Sequence, residues 1–155
     1  MELYRIAHEK FVADLSGTGA RLYGGRWNSE GQAAVYTASS RSLAVLETLV
    51  HTPLHLLQQM QFVLLTLKIP DAATIEKVDP SSLPPGWELW NYKQHTQRIG
   101  DTFLNNRKKL LLQVPSVVVP EEVNVVLNPA HPSMSQVRVL QQRPVRWDSR
   151  IVPSL

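Results

Sequence analysis

The sequence predicts an α+β fold in a single domain spanning residues 1–155. Three observations carry that expectation. Short apolar runs of strand length recur along the chain, from Phe62–Leu67 to Val117–Val119. One amphipathic segment with a capping serine, Arg41–His51, follows the second expected strand, Ala33–Ala38. The rest of the strands come later, so the elements do not alternate as a doubly wound βαβ sheet requires.

In order, Leu3–Ala7 reads as a first strand. Ser16–Gly31 holds five of the chain's seven glycines (Gly17, Gly19, Gly24, Gly25 and Gly31) and reads as a loop that turns tightly or approaches a ligand. Ala33–Ala38 reads as a strand. Ser39 or Ser40 then caps a helix over Arg41–His51, with Leu43, Leu46 and Val50 on one apolar face and Pro53 closing it. Gln61–Ile69 is apolar at successive positions, as a central strand covered on both faces would be. Pro80–Trp90, with Pro84-Pro85-Gly86, reads as an irregular loop, and Gln94–Leu104 as a helix with Ile99 and Phe103 four apart. Leu110–Val119, broken by Pro115, and Val123–Leu127 read as a strand pair, and Val137–Leu140 as a last strand.

Composition excludes several function classes. No stretch approaches the roughly 20 apolar residues that span a bilayer, and the start of the chain lacks the charged and apolar regions of a signal peptide, so a cytoplasmic location with no membrane association is expected. The chain has no cysteine, which removes thiol catalysis and disulfides. A net charge of +3 is mild, and its basic residues gather only at Arg107-Lys108-Lys109 and at Arg138, Arg143, Arg146 and Arg150. A nucleic-acid surface asks for a denser stripe interleaved with aromatics. An anionic small ligand needs only two or three arginines.

The candidate residues each have a structural and a chemical reading. Arg26, in Gly24-Gly25-Arg26-Trp27-Asn28, is either part of a plain turn or a guanidinium set to close on a phosphate beside free backbone amides. Glu47 shares the apolar side of its helix, where a carboxylate is costly unless paired; it is a partnered flank residue or a functional acid. Tyr36 packs in a strand by default, and Ser116 satisfies local backbone next to Pro115. His8, His51, His55, His95 and His131 are scattered without metal-ligand spacing, and Pro53 breaks the helix that would align His51 with His55, so no metal is expected. No P-loop, GxGxxG or Ser-His-Asp pattern is present.

Taken together, three blocks resemble the RES-domain family, named for an arginine, a glutamate and a serine. They are Gly24-Gly25-Arg26-Trp27-Asn28 with Gly31 leading into Val35-Tyr36-Thr37-Ala38; Ser42-Leu43-Ala44-Val45-Leu46-Glu47 ending in Val50-His51; and Val114-Pro115-Ser116-Val117-Val118-Val119-Pro120 continuing through Asn124 to Asn128-Pro129-Ala130-His131-Pro132. Asn91-Tyr92 and Gln97-Arg98-Ile99-Gly100-Asp101 also look like the family's middle. The likeness covers nearly the whole chain, and the naming residues fall at Arg26, Glu47 and Ser116.

The resemblance implies a fold similar to ADP-ribosyltransferases, with NAD in a cleft of a split β-sheet. It implies a growth-arresting toxin of a toxin–antitoxin system, partnered by a helix-turn-helix (Xre-like) antitoxin that blocks the active site. DNA would be contacted only through the antitoxin, and a homodimer within the complex is a further expectation. NAD is the expected substrate, inorganic phosphate a possible co-substrate, with no metal. Glu47 is then expected to stabilise positive charge at the ribose, Arg26 and Arg5 to neutralise phosphates, and Tyr36 to stack on nicotinamide. Ser116 is expected to hydrogen-bond the nucleotide or position the acceptor, with Asn124, Asn28 and His131 as weaker members of the same cleft whose plainer role is turn capping. NAD breakdown, with phosphate or water as acceptor, stands first; transfer of ADP-ribose to a protein is the alternative, and a basic binding module without catalysis the third.

Overall fold

A computed structural model describes all 155 residues. Its strands are β1 (Glu2–His8), β2 (Val35–Ala38), β3 (Phe62–Lys68), β4 (Ile75–Lys77), β5 (Leu111–Pro115), β6 (Val123–Leu127) and β7 (Arg138–Pro144). Its α-helices are α1 (Thr18–Tyr23), α2 (Arg41–His51), α3 (Leu54–Gln59) and α4 (Gln94–Asn106). The strands form one sheet in the order β4-β5-β6-β2-β1-β3-β7, antiparallel throughout except for β4 beside β5. The fold is the expected α+β arrangement.

Pairing is uneven, and that unevenness creates the site. β1 and β3 pair along seven residues, from Glu2↔Lys68 to His8↔Phe62. β2 and β6 pair along four, from Val35↔Leu127 to Ala38↔Asn124. Between these two halves, β1 and β2 share the single register pair Tyr4↔Ala38. That pair falls at the last residue of β2, and no further pair joins Val35–Thr37 to β1, so the sheet is split at its centre while remaining joined.

Side-chain alternation sorts the core onto two faces. Leu3, Val35, Leu65, Leu67, Leu111, Val125 and Leu127 pack on one, closed by Val12, Leu15, Met134 and Val137 from loops and 3₁₀ turns. On the other, Phe103 and Leu104 of α4 pack with Leu112, Val114 and Val126, and Leu43 and Ala44 of α2 pack with Ala38 and Leu64. Full burial of Leu43 stabilises by about 1.5–3 kcal/mol. β3 feeds both faces through Leu64 and Leu65, which explains its unbroken apolar run.

Several sequence expectations need correction. α1 forms inside the glycine-rich segment read as a loop, and α3 and β4 were not expected. α4 runs two residues beyond Leu104, and β7 extends to Pro144. Leu46 and Val50 were expected on the buried face of α2 but are 40% and 62% exposed. The reason is that α2 packs on the sheet through Leu43, Ala44 and Leu49, and Leu46 and Val50 fall outside that face. No helix is long and apolar enough to cross a membrane.

Candidate active site

A cleft of about 560 Å³ opens where β1 and β2 part. Tyr4, Arg5 and Ile6 line it from one strand, and Tyr36, Thr37 and Ala38 from the other. Its volume is within the range of small-molecule sites. Of the residues expected in a site, Arg5, Arg26, Tyr36, Glu47 and Asn124 all line this cleft. Ser116 does not.

Glu47 is positioned by a chain of local choices. Ser40 caps α2, its Oγ accepting from the Leu43 amide at 3.0 Å. The same hydroxyl donates to Glu122 at 2.8 Å, and the Ser39 amide donates to the Val123 carbonyl, tying the start of α2 to the β5–β6 turn. Glu47, nearly two turns along, therefore arrives against Ser116 and Asn124. Its Oε1 accepts from Ser116 Oγ at 2.9 Å and from Asn124 Nδ2 at 2.5 Å. Its Oε2 lies 3.3 Å from His51 Nε2, one turn further along α2. Burial by itself raises the Glu47 pKa, but the hydrogen bonds from His51, Asn124 and Ser116 outweigh it and hold the carboxyl below its usual value. Glu47 is thus an anion at neutral pH, fixed at one oxygen and 19% exposed to the cleft.

Ser116 is buried, 1% exposed. Besides donating to Glu47 it accepts from the Val118 and Val119 amides at 3.1 and 3.0 Å. With its proton and its lone pairs engaged, Ser116 stands behind Glu47 and aims it. The structure thus places Ser116 behind Glu47 and not among the residues that line the cleft.

The arginine loop is a small scaffold of its own. Asn28, fully buried, donates to the carbonyls of Ala20 and Gln32 and accepts from the Tyr36 hydroxyl at 2.7 Å. That hydroxyl in turn accepts from the Trp27 amide at 3.0 Å. Burial pushes the Tyr36 phenol well above its ordinary pKa, so it stays a neutral donor. Gly25 has no alternative here: a Cβ would lie 2.7 Å from the Tyr36 oxygen. From α4, Thr96 donates to the Arg26 carbonyl, Gln97 to those of Gly25 and Asn28, and Asp101 accepts from the Ser29 amide and hydroxyl. Gly100 lets the helix lie against the loop, since a Cβ there would fall 1.7 Å from the Trp27 carbonyl oxygen.

Arg26 emerges from this scaffold into the cleft. Its Nη1 donates to the Trp87 carbonyl at 2.9 Å, and its Cζ lies 5.9 and 5.6 Å from the rings of Trp87 and Trp90. Desolvation lowers its pKa, opposed by the charges of Glu47 and Glu88. Arg5 donates to the Asp14 carbonyl at 2.8 Å and is likewise lowered by burial. Both remain cations, so one cleft holds two guanidinium groups and one aimed carboxylate. Asn28 and His131 are structural: Asn28 sustains the loop, and His131 caps a 3₁₀ turn through the Ser133 amide. No group of three or more His, Asp or Glu side chains is placed to hold a metal.

His51 was not among the expected site residues. The signal was available, because Glu47 and His51 stand at i and i+4, facing the same way on a helix. Spacing alone sets His51 beside His55 as a metal pair, which hides its pairing with Glu47.

Known proteins share this architecture and sequence. A chain of the crystallised M. tuberculosis MbcT–MbcA toxin–antitoxin complex superposes with a TM-score of 0.75 at 21% identity, covering 93% of this chain and 83% of that one. The Prs ADP-ribosylating toxin of Sphingobium sp. (strain YBL2) is 40% identical over 141 residues, 90% of this chain and 87% of the relative. Toxin Res of Photorhabdus laumondii is 41% identical over 154 residues, 98% of this chain and 97% of the relative. The RES domain model matches residues 2–148, and the chain belongs to the RES-domain toxin family.

Proposed function

We propose that this toxin breaks the bond between nicotinamide and ribose in NAD, with phosphate or water as the acceptor. The observation that carries the reading is the Glu47 carboxylate, held anionic by Ser116, Asn124 and His51 on the wall of a cleft that also holds Arg5 and Arg26. Cleavage sends the bonding electrons to the nicotinamide nitrogen and leaves positive charge spread over the ribose C1 and ring oxygen. A fixed anion there stabilises that charge without reorganising during the reaction. Arg26 and Arg5 suit the pyrophosphate, and the Tyr36 ring on the cleft wall suits the flat nicotinamide. Its hydroxyl, engaged by Trp27 and Asn28, fixes the ring.

A second reading, transfer of ADP-ribose to a protein, is favoured by one observation: the Sphingobium relative is a Prs ADP-ribosylating toxin. Both readings share the cleft and differ in what reaches the ribose C1. The chain acts in the cytoplasm, and its partner is an antitoxin, Xre-like, that blocks the cleft. The arginines there offer a dock for a carboxylate from the antitoxin.

Purified, antitoxin-free protein incubated with NAD tests these readings. Free nicotinamide is expected. Phosphate as acceptor leaves ADP-ribose phosphorylated at C1, water leaves ADP-ribose, and a protein acceptor in added lysate becomes labelled. Intact NAD in all three mixtures refutes both enzymatic readings.

A further inference from the structure

Two aromatic rings at the cleft take no part in the chemistry assigned to Glu47. Tyr23, at the end of α1, lines the cleft, is 79% exposed, and has no side-chain hydrogen bond or ring contact. Trp90 also lines the cleft and is 52% exposed. Rings of this size normally contribute by being buried, so two of them left open at one cleft are available to a ligand. They belong to segments far apart in sequence, yet both line the same cleft as Arg26, and the Trp90 ring centroid is 5.6 Å from the Arg26 Cζ.

We infer that Tyr23 and Trp90 form the seat for the purine base of the nucleotide. The inference rests on NAD being the substrate and assigns the two ends of that molecule. In a dinucleotide the base lies one ribose away from the pyrophosphate. A guanidinium that takes the pyrophosphate and a ring within 6 Å of it match that spacing. Glu47, Asn124 and His51 then meet the other ribose, the one that loses nicotinamide. Trp90 is covered by the Lys93 ammonium at 4.1 Å from the ring centroid. Lys93 is a flexible cation that an entering base displaces toward the phosphates. Stacking is tolerant of base identity, so this seat supplies affinity more than selectivity.

The test measures binding of NAD and of nicotinamide mononucleotide, which lacks the adenylate half, by calorimetry. The parent protein carries Glu47→Gln so that consumption of either ligand is slowed on the order of 100-fold during the titration. Trp90→Ala and Tyr23→Ala are expected to weaken NAD about tenfold each, or about 1.4 kcal/mol. Nicotinamide mononucleotide should bind within about twofold of the parent, and Trp90→Phe should retain most of the NAD affinity. Unchanged NAD binding in both alanine variants overturns the seat. So does an equal loss for both ligands, which would mean that Trp90 acts through Arg26. A parent that binds neither ligand brings down the NAD reading itself, and is told apart because no aromatic residue has been changed in it.

Discussion

Replacing Glu47 by glutamine isolates the charge of the candidate active site from its shape. In the structure, Oε1 takes hydrogen bonds from Ser116 and Asn124, and only Oε2 faces His51. A glutamine with its carbonyl oxygen at the Oε1 position keeps both donors satisfied. Its amide then points toward His51, whose side chain is 61% exposed and can turn to meet it or water. No donor is orphaned. What changes is that two hydrogen bonds lose their ionic character, at about 0.5–1 kcal/mol each, while the cost of holding an anion in a partly buried site disappears. These effects oppose each other, and the net change in stability is expected within about 1 kcal/mol, or about 2–4 °C in Tm for a chain of this size. Catalysis has no such offset. Losing one preorganised charge at the reacting centre costs on the order of 100-fold in rate, about 2.7 kcal/mol of barrier. The sign of the pH dependence follows from the depressed Glu47 pKa. A depressed carboxyl contributes stability above its unfolded value, about 4.3, and loses it as pH falls through the folded value. Wild type should therefore lose stability relative to Glu47→Gln on acidification below about pH 4. The assay compares denaturant unfolding at pH 7 and pH 3.5, NAD affinity, and nicotinamide release. A variant that unfolds at pH 7 shows Glu47 to be structural, and one that turns over normally removes it from the chemistry.

Other substitutions separate scaffold from site. Ser116→Ala removes the acceptor of the half-buried Val118 and Val119 amides and frees Glu47 on one side, so melting should show about 1–2 kcal/mol of lost stability, with kcat falling more than KM changes. A raised KM with unchanged kcat would instead put Ser116 in contact with the nucleotide. Tyr36→Phe keeps the ring but breaks the bridge between Trp27 and Asn28; thermal unfolding should register about 1–3 kcal/mol of destabilisation with NAD affinity nearly preserved. Gly100→Ala forces α4 away from the Trp27 carbonyl, at about 1–3 kcal/mol or more by denaturant titration. Because Thr96 and Gln97 on α4 hold the Arg26 loop, NAD binding should weaken as well, and intact affinity would show that the loop stands without α4.

How much of this was legible in the sequence depended on burial. β3 and β6 are covered on both faces and announced themselves as apolar runs, and the Ser40 cap marked the start of α2. β4 gave no signal because Ile75, Glu76 and Lys77 are all exposed and are held only by pairing to β5. α1 was hidden by its glycines, one of which, Gly17, precedes the helix at φ 74°. Leu46 and Val50 misled because periodicity reports a face and not what covers it. In the site, Arg26 and Glu47 could be named from residue type and neighbours. The inward turn of the Ser116 hydroxyl could not, since it depends on where a distant helix lands. The single pair joining β1 to β2 is equally invisible to local pattern.

The outermost strands have a consequence for how the molecule meets other chains. β7 pairs only with β3, and its seven residues are all exposed, Leu140 at 54%. An edge of that length offers free amides and carbonyls to any passing extended segment. Here it is interrupted by a register shift opposite Thr66/Leu67, ends in Pro144, and carries Arg138 and Arg143. The opposite rim, β4, is three residues long and displays Glu76 and Lys77. Bulge, proline, charge and brevity each oppose edge-to-edge growth. A seven-stranded sheet is thereby kept from templating fibres or ladders of itself, even when the protein is abundant.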